Sequence, residues 1–267
     1  MNSKPRVSIL MYHQVGFFRR PAAHRATFCH VRRFRRQMAW LKRSGYHVIR
    51  LTEAVRGLKG EIPLPNHSVV LTFDDGYRNF YENAYPMLHE YGFPATVFMV
   101  AGHLGSTARW IEEEGRFGAP LMEKDHLLEI QAGGIEIGSH TVTHPRLSKI
   151  PLSKAQREIA ESKSILESLL GDRVIHFCYP YGDFNPQIAD LVQEAGYESA
   201  LTCIRGAATA EDSLFCLPRK AVSYGDSLIG YLWKLHIKNK KKAPTSGPKA
   251  PFTSSAADST AERTDST

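Results

Sequence analysis

Residues 68–77 read SVVLTFDDGY. Val69, Val70, Leu71, Thr72 and Phe73 form an unbroken apolar and β-branched run, the composition of a strand buried on both faces. Such strands belong to parallel α/β folds, which gather their functional residues at the carboxyl ends of the strands. Asp74, Asp75 and Gly76 stand at that end. Two adjacent carboxylates are costly to bury without a compensating cation or proton. One carboxylate on a metal ion, with its neighbour free as a base, meets that requirement. An ordinary Asp-Asp-Gly turn is the other reading.

Outward from this run the chain alternates between strand-like and helical segments. Upstream, Val7–His13 (VSILMYH) reads as a strand, Phe28–Lys42 as an amphipathic helix, His47–Leu51 as a short strand and Thr52–Lys59 as a helix. Downstream, Asn79–Tyr91 is helical and stops at Gly92, and Ala95–Ala101 is a buried strand. Residues 103–123 read as an irregular excursion before a helix at His126–Gln131. Ile135–His140, Val174–Tyr179, Glu198–Cys203 and Leu217–Val222 are further strands, with helices at Ser153–Leu170 and Gln187–Glu194. The expected fold is therefore α/β, a distorted TIM-like (β/α) barrel with a seven- or eight-stranded parallel sheet. Residues 1–237 are expected to form one domain. Residues 238–267, mostly Lys, Pro, Ser, Thr and Ala, read as a disordered basic and polar tail. No internal repeat is evident.

Composition excludes several classes. The 267 residues are 42% hydrophobic, 23% charged and 10% aromatic, which is globular rather than disordered or collagenous. No apolar stretch reaches the roughly 18 residues of a membrane-spanning helix. The apolar run after the basic start, Val7 to Tyr12, is shorter than a signal peptide's roughly 7–15 residues. The expected location is accordingly cytoplasmic, or peripheral at the inner membrane face. Cys29, Cys178, Cys203 and Cys216 form no CxxC pair and read as reduced thiols.

The net charge of +7 is unevenly placed. Residues 1–50 carry twelve Lys or Arg and no Asp or Glu, whereas residues 51–237 sum to −8. Much of the basic excess lies on the outer face of the Phe28–Lys42 helix, at Arg32, Arg33, Arg35, Arg36 and Lys42. That face is either merely solvated or drawn to an anionic surface such as phospholipid headgroups or a lipid-phosphate-linked substrate. Nucleic acid is disfavoured, because the cations are not interleaved with aromatics and no recognition motif accompanies them.

Two more polar clusters follow strands. Ser139-His140-Thr141-Val142-Thr143-His144 sets two histidines four apart, able to converge on one ion if the segment turns tightly. Solvent-facing histidines are the commoner outcome for HxxxH alone, and a carboxylate from another strand end strengthens the metal reading. Tyr179-Pro180-Tyr181-Gly182 forms a rigid turn whose N–H groups can face a reacting oxygen, or simply a packed loop.

The order and content of these three segments, over about Val7 to Val222, resemble the polysaccharide deacetylase family, the carbohydrate esterase family 4 or NodB-type homology domain. TFDDG is similar to the family's first motif, SHTVTH to its H(S/T)xxH motif, and YPYG to its third, commonly RxPY. The resemblance implies a divalent metal on Asp75, His140 and His144, zinc by preference with cobalt or nickel acceptable. It implies Asp74 as general base, the Tyr181 backbone N–H as oxyanion donor, and Thr143 bonding within the histidine loop.

Two departures stand out. Cys178 occupies the place of the RxPY arginine, and Arg219 is the candidate to orient Asp74 instead, a rim salt bridge being its other reading. The family's leucine-x-histidine motif, which supplies the general acid, has no clear counterpart: Trp233-Lys234-Leu235-His236 lacks its leucine. His13, at the end of the first strand, is the substitute candidate. The resulting expectation is a metal-dependent deacetylase acting on an N-acetylated amino sugar in a glycan or glycan precursor and releasing acetate. The alternatives are hydrolysis of a cyclic imide or ureide, or a non-catalytic glycan- or membrane-surface-binding homologue.

Overall fold

A computed structural model describes residues 6–21, 24–112 and 118–242. The strands are β1 (Arg6–Tyr12), β2 (Gln14–Gly16), β3 (Phe28–His30), β4 (His47–Val48), β5 (Ser68–Phe73), β6 (Thr96–Met99), β7 (Glu136–Ser139), β8 (His176–Cys178), β9 (Ser199–Arg205), β10 (Ala208–Thr209) and β11 (Leu217–Ala221). The α-helices are α1 (Val31–Arg43), α2 (Leu51–Leu58), α3 (Tyr85–Tyr91), α4 (Arg109–Glu112), α5 (Lys124–Ala132), α6 (Leu152–Leu170), α7 (Pro186–Glu194) and α8 (Leu228–His236).

Seven parallel strands close into a ring in the order β1-β5-β6-β7-β8-β9-β11 and back to β1. The ring has seven members because two candidates stay at its lower rim. The expected strand His47–Leu51 shrinks to β4, two residues paired with the start of β5. Leu51 instead begins α2, since its N–H and that of Thr52 are held by the Glu136 carboxylate at 2.8 and 3.3 Å. β10 runs antiparallel against the start of β1.

The two-residue side-chain period of the strands separates two cores. Val7, Ile9, Val70, Cys178, Leu201 and Leu217 point into the barrel, and Leu51, Ala54, Val55 and Leu58 of α2 plug its lower end. Leu10, Tyr12, Val69, Leu71, Phe73 and Phe177 point outward and pack under α1, α6, α7 and α8. This parity also aims Asp74, Cys178 and Arg219 at the barrel axis near its upper end, above the apolar layers.

The basic helix starts later than its sequence suggests. Phe28–His30 pairs with Gln14–Gly16, and His30 caps α1 by accepting from the Arg32 N–H at 3.2 Å. Val31, Phe34, Met38 and Leu41 form its buried face. Several of its cations engage the protein itself: Arg33 bonds the Tyr224 carbonyl, Arg35 pairs with Glu90, and Lys42 bonds the Tyr91 carbonyl. The folded body continues to Lys242, whose backbone bridges Arg205; the rest of the expected tail lies outside the described residues. No helix among the described residues is long and apolar enough to cross a membrane.

Candidate metal centre and catalytic pair

The upper ends of β1, β5, β7, β8 and β11 converge on one buried polar site. Its backbone is strained. Six non-glycine residues among those described have positive φ, and four of them are here: Asp75 (75°), Thr141 (70°), His144 (64°) and Tyr181 (59°). Such conformations cost about 1–3 kcal/mol each and persist only where the surroundings impose them, typically at functional sites. Gly76 also has positive φ (72°), where glycine is favoured, and a Cβ there would push aside the tip of Met99, whose Cε lies 2.5 Å away.

Asp75, His140 and His144 are all buried and face one another. Asp75 Oδ1 lies 3.4 Å from Nε2 of His140 and 3.4 Å from Nε2 of His144. Two ligand atoms about 2.1 Å from a tetrahedral ion stand about 3.4 Å apart, so this spacing fits a zinc-type cation. His140 Nδ1 lies 2.7 Å from the Cys178 carbonyl, which fixes the proton on Nδ1 and leaves the Nε2 lone pair for the ion. Burial pushes His144 down to about 4 against the attraction of Asp75, so its ring is neutral at pH 7, the form that binds cations. Burial by itself raises the Asp75 carboxyl, but the two facing imidazoles outweigh it and hold it well below its ordinary value.

A single buried carboxylate shapes the histidine loop. Glu158 of α6 accepts from the Val142 and Thr143 N–H groups at 2.9 Å each and from Thr143 Oγ1 at 2.6 Å. Thr141 Oγ1 then accepts the His144 N–H at 2.9 Å. The segment is thus tightly turned rather than helical; Thr143, expected to bond within the loop, instead ties it to Glu158 of α6, and Thr141 makes the bond within the loop. Trp110 stacks on the His144 ring at 4.4 Å and Tyr181 packs edge-on at 4.7 Å, leaving the imidazole little freedom.

Asp74 sits beside this group and belongs to a different set of contacts. Arg219 donates to both of its oxygens at 2.7 Å and reaches Thr72 Oγ1 and Cys178 Sγ at 3.2 and 3.1 Å. Cys178 therefore leaves room for an arginine from β11 to do what a β8 arginine would do, and the rim reading of Arg219 is wrong: it is 1% exposed. Burial raises the Asp74 carboxyl, and Arg219 more than offsets this, so it is ionised at neutral pH. His13 Nε2 lies 4.0 Å from Asp74 Oδ2, and its buried Nδ1 has no hydrogen-bond partner among the described residues. His236, by contrast, lies against Trp40 and Tyr46, away from the site. Tyr181 lies in the turn Pro180–Gly182, with the Arg146 guanidinium 4.0 Å from its ring centroid.

Every site residue read from the sequence is in this cluster. Glu158 and Trp110 were not read from it. Glu158 follows His144 by a helix start and carries no motif spacing. Trp110 lies in the excursion whose residues 113–117 fall outside the description.

Comparison with known proteins agrees with the geometry. The family model described as polysaccharide deacetylase matches residues 61–200. The provisionally named polysaccharide deacetylase YxkH of Bacillus subtilis is 29% identical over 222 residues, 83% of this chain and 73% of that protein. The poly-beta-1,6-N-acetyl-D-glucosamine N-deacetylase of Staphylococcus aureus is 29% identical over 199 residues, 71% of this chain and 66% of that protein. Among solved structures, the deacetylase PplD of Streptococcus pyogenes, in complex with acetate, superposes with a TM-score of 0.75 at 25% identity, covering 88% of this chain and all of that one.

Proposed function

The chain belongs to the polysaccharide deacetylase family of carbon–nitrogen hydrolases, and we propose that it removes acetyl from an N-acetylated amino sugar in a glycan, using one divalent ion held by Asp75, His140 and His144. The observation that carries this reading is the placement of Asp75 Oδ1 at 3.4 Å from both imidazole nitrogens, with a second, ionised carboxylate at its side. Zinc is the proposed ion, and cobalt or nickel suits the same donors. A divalent ion here would supply a Lewis acid for the amide carbonyl and lower the pKa of a water molecule.

The chain's own groups do the rest. Asp74 takes the proton from the attacking water, and Arg219 fixes the carboxylate plane; Oδ2 also accepts from the Cys178 thiol at 3.6 Å, and Oδ1 keeps a second lone pair for the water. The water oxygen bonds to the acetyl carbon, and the Tyr181 backbone N–H donates to the oxyanion that forms. As the C–N bond breaks, His13 delivers a proton to the leaving nitrogen, so that acetate and a free amine result. His13 Nε2 lies 4.0 Å from Asp74 Oδ2, so one bridging water would carry the proton from Asp74 back to His13 between turnovers.

The test is acetate release from N-acetylated amino-sugar substrates offered as polymer, nucleotide-linked and lipid-linked forms, with added zinc, with chelator, and with Asp74→Asn. A β-1,6-linked polymer belongs in the panel because the Staphylococcus aureus relative is named for one. Acetate that requires metal and disappears in the variant supports the reading. Metal bound without acetate from any substrate refutes it in favour of imide hydrolysis or glycan binding.

A further inference from the structure

Four of the eight large apolar side chains exposed among the described residues belong to α8 and the residue that ends it: Leu228, Ile229, Trp233 and Ile237. Ile229, Trp233 and Ile237 are 80%, 48% and 62% exposed, and their spacing of four residues lines them up as one stripe. Tyr231 and Leu235, on the other face, are buried in the core. The helix thus presents an apolar ridge outward as well as a core face inward, which a solvated helix has no reason to do.

Cations frame the ridge. Lys238 sets its ammonium 4.6 Å from the Trp233 ring centroid, and Lys240 and Lys242 follow on an exposed segment. On the neighbouring helix, Trp40 of α1 packs on His236, and exposed Arg36 and Arg43 lie one turn to either side of Trp40. The platform is rigid: Lys220, buried in β11, donates to the Leu235 carbonyl and to Asn239 Oδ1 at 3.0 and 2.8 Å, and to Ser8 Oγ of β1 at 2.9 Å.

We infer that this α8 face, flanked by α1, is a docking surface for an anionic phospholipid bilayer. Ile229, Trp233 and Ile237 enter the headgroup boundary, and the surrounding Lys and Arg engage lipid phosphates. The chemistry is that of an interfacial amphipathic helix: an apolar ridge, a tryptophan suited to the boundary, and long cationic side chains whose stems lie on apolar surface while their charges reach outward. The sequence locates the basic charge on α1, but α1 has no exposed apolar stripe, so the insertion element is α8. The inference does not depend on the deacetylase reading.

The experiment is flotation of the full chain with phosphatidylcholine vesicles and with vesicles that also contain phosphatidylglycerol. The expected result is binding to the anionic vesicles, weakened by salt, with a blue shift of tryptophan emission that is absent in Trp233→Phe. Ile229→Ser combined with Trp233→Ser and Ile237→Ser should reduce vesicle affinity about tenfold or more and leave turnover of a small soluble substrate unchanged. A wild-type chain that stays with the soluble fraction overturns the proposal. So does binding that the triple variant leaves intact. Light scattering that shows a dimer dissociated by the same triple variant overturns it in favour of a second copy as the occupant.

Discussion

Arg219 holds Asp74 through two parallel hydrogen bonds inside the barrel, Nη1 to Oδ1 and Nη2 to Oδ2, each 2.7 Å long. Bidentate pairing of this kind fixes the plane of a carboxylate as well as its charge. Burial disfavours the guanidinium charge, and Asp74 reverses that effect, so Arg219 remains charged. A carboxylate with this partner is a base of fixed orientation that stays ionised.

Removing the arginine should therefore alter ionisation first. Arg219→Met strands a buried carboxylate and should cost about 3–5 kcal/mol of stability, visible as a lower Tm. In Arg219→Lys, which keeps a charge but loses the fork, the Asp74 carboxyl should rise. The acid limb of the kcat/KM profile then shifts to higher pH. An unchanged limb would show that Arg219 does not set the ionisation of Asp74.

Glu158 should act on the metal without touching it. Glu158→Gln keeps one acceptor for the three donors of residues 142 and 143 and loses the charge, whereas Glu158→Ala loses both. The expected outcome for Glu158→Ala is a folded barrel with metal affinity about 10–100-fold weaker, read by competition with a chromogenic chelator. Glu158→Gln should fall between it and the wild type.

Metal removal should abolish activity and leave the barrel standing. The hydrophobic clusters inside and outside the ring do not involve Asp75, His140 or His144. Chelation should eliminate acetate release with little loss of far-ultraviolet circular dichroism, and added zinc should restore it. His144→Gln should bind less than one equivalent of metal by elemental analysis.

His13 gives a prediction that separates acid catalysis from packing. His13→Gln should lower kcat on an N-acetylated sugar by about 10²–10⁴. On an aryl acetate ester, whose leaving group needs no proton, the loss should be far smaller. Equal losses on both substrates would assign His13 a positioning role.

His176 sets part of the acid stability. It lies at the lower end of the barrel, with Nε2 3.0 Å from Thr52 Oγ1 and Nδ1 2.8 Å from Ser199 Oγ, and burial pushes it down to about 4. The unfolded chain, with an ordinary histidine near 6.5, binds the extra proton between those values. Stability should be fully present above pH 6.5 and fall as the pH drops toward 4, at about 1.4 kcal/mol per pH unit from this group. His176→Asn should flatten that slope in thermal melts from pH 4 to 7.

The sequence was most legible where function is local. The run SVVLTF followed by two carboxylates, and the pair of histidines four apart, each need only a strand that ends and a chain that turns within a few residues. The two polar clusters could be read for that reason, and so could the parallel α/β class, which rests on the apolar content of each strand. The assignment of a metal to Asp75, His140 and His144 rested on the resemblance of those clusters to the deacetylase motifs. Glu158 was illegible, because a carboxylate on a long helix looks like any solvated one until the loop folds against it.

The sequence by itself determined the longer barrel strands and the polar residues at their ends, and the resemblance of those motifs to the deacetylase family singled out Asp75, His140 and His144 as candidate metal ligands. Tertiary structure alone decided that the ring closes with seven strands, that the strand expected at His47–Leu51 stops at Val48, and that Arg219 meets Asp74 across a separation of 145 positions. The physical reason is one of range. A strand's two-residue period says which side chains share a face, but not which strands become neighbours. That is settled by closure of the barrel and by the packing of helices whose contacts lie far apart along the chain.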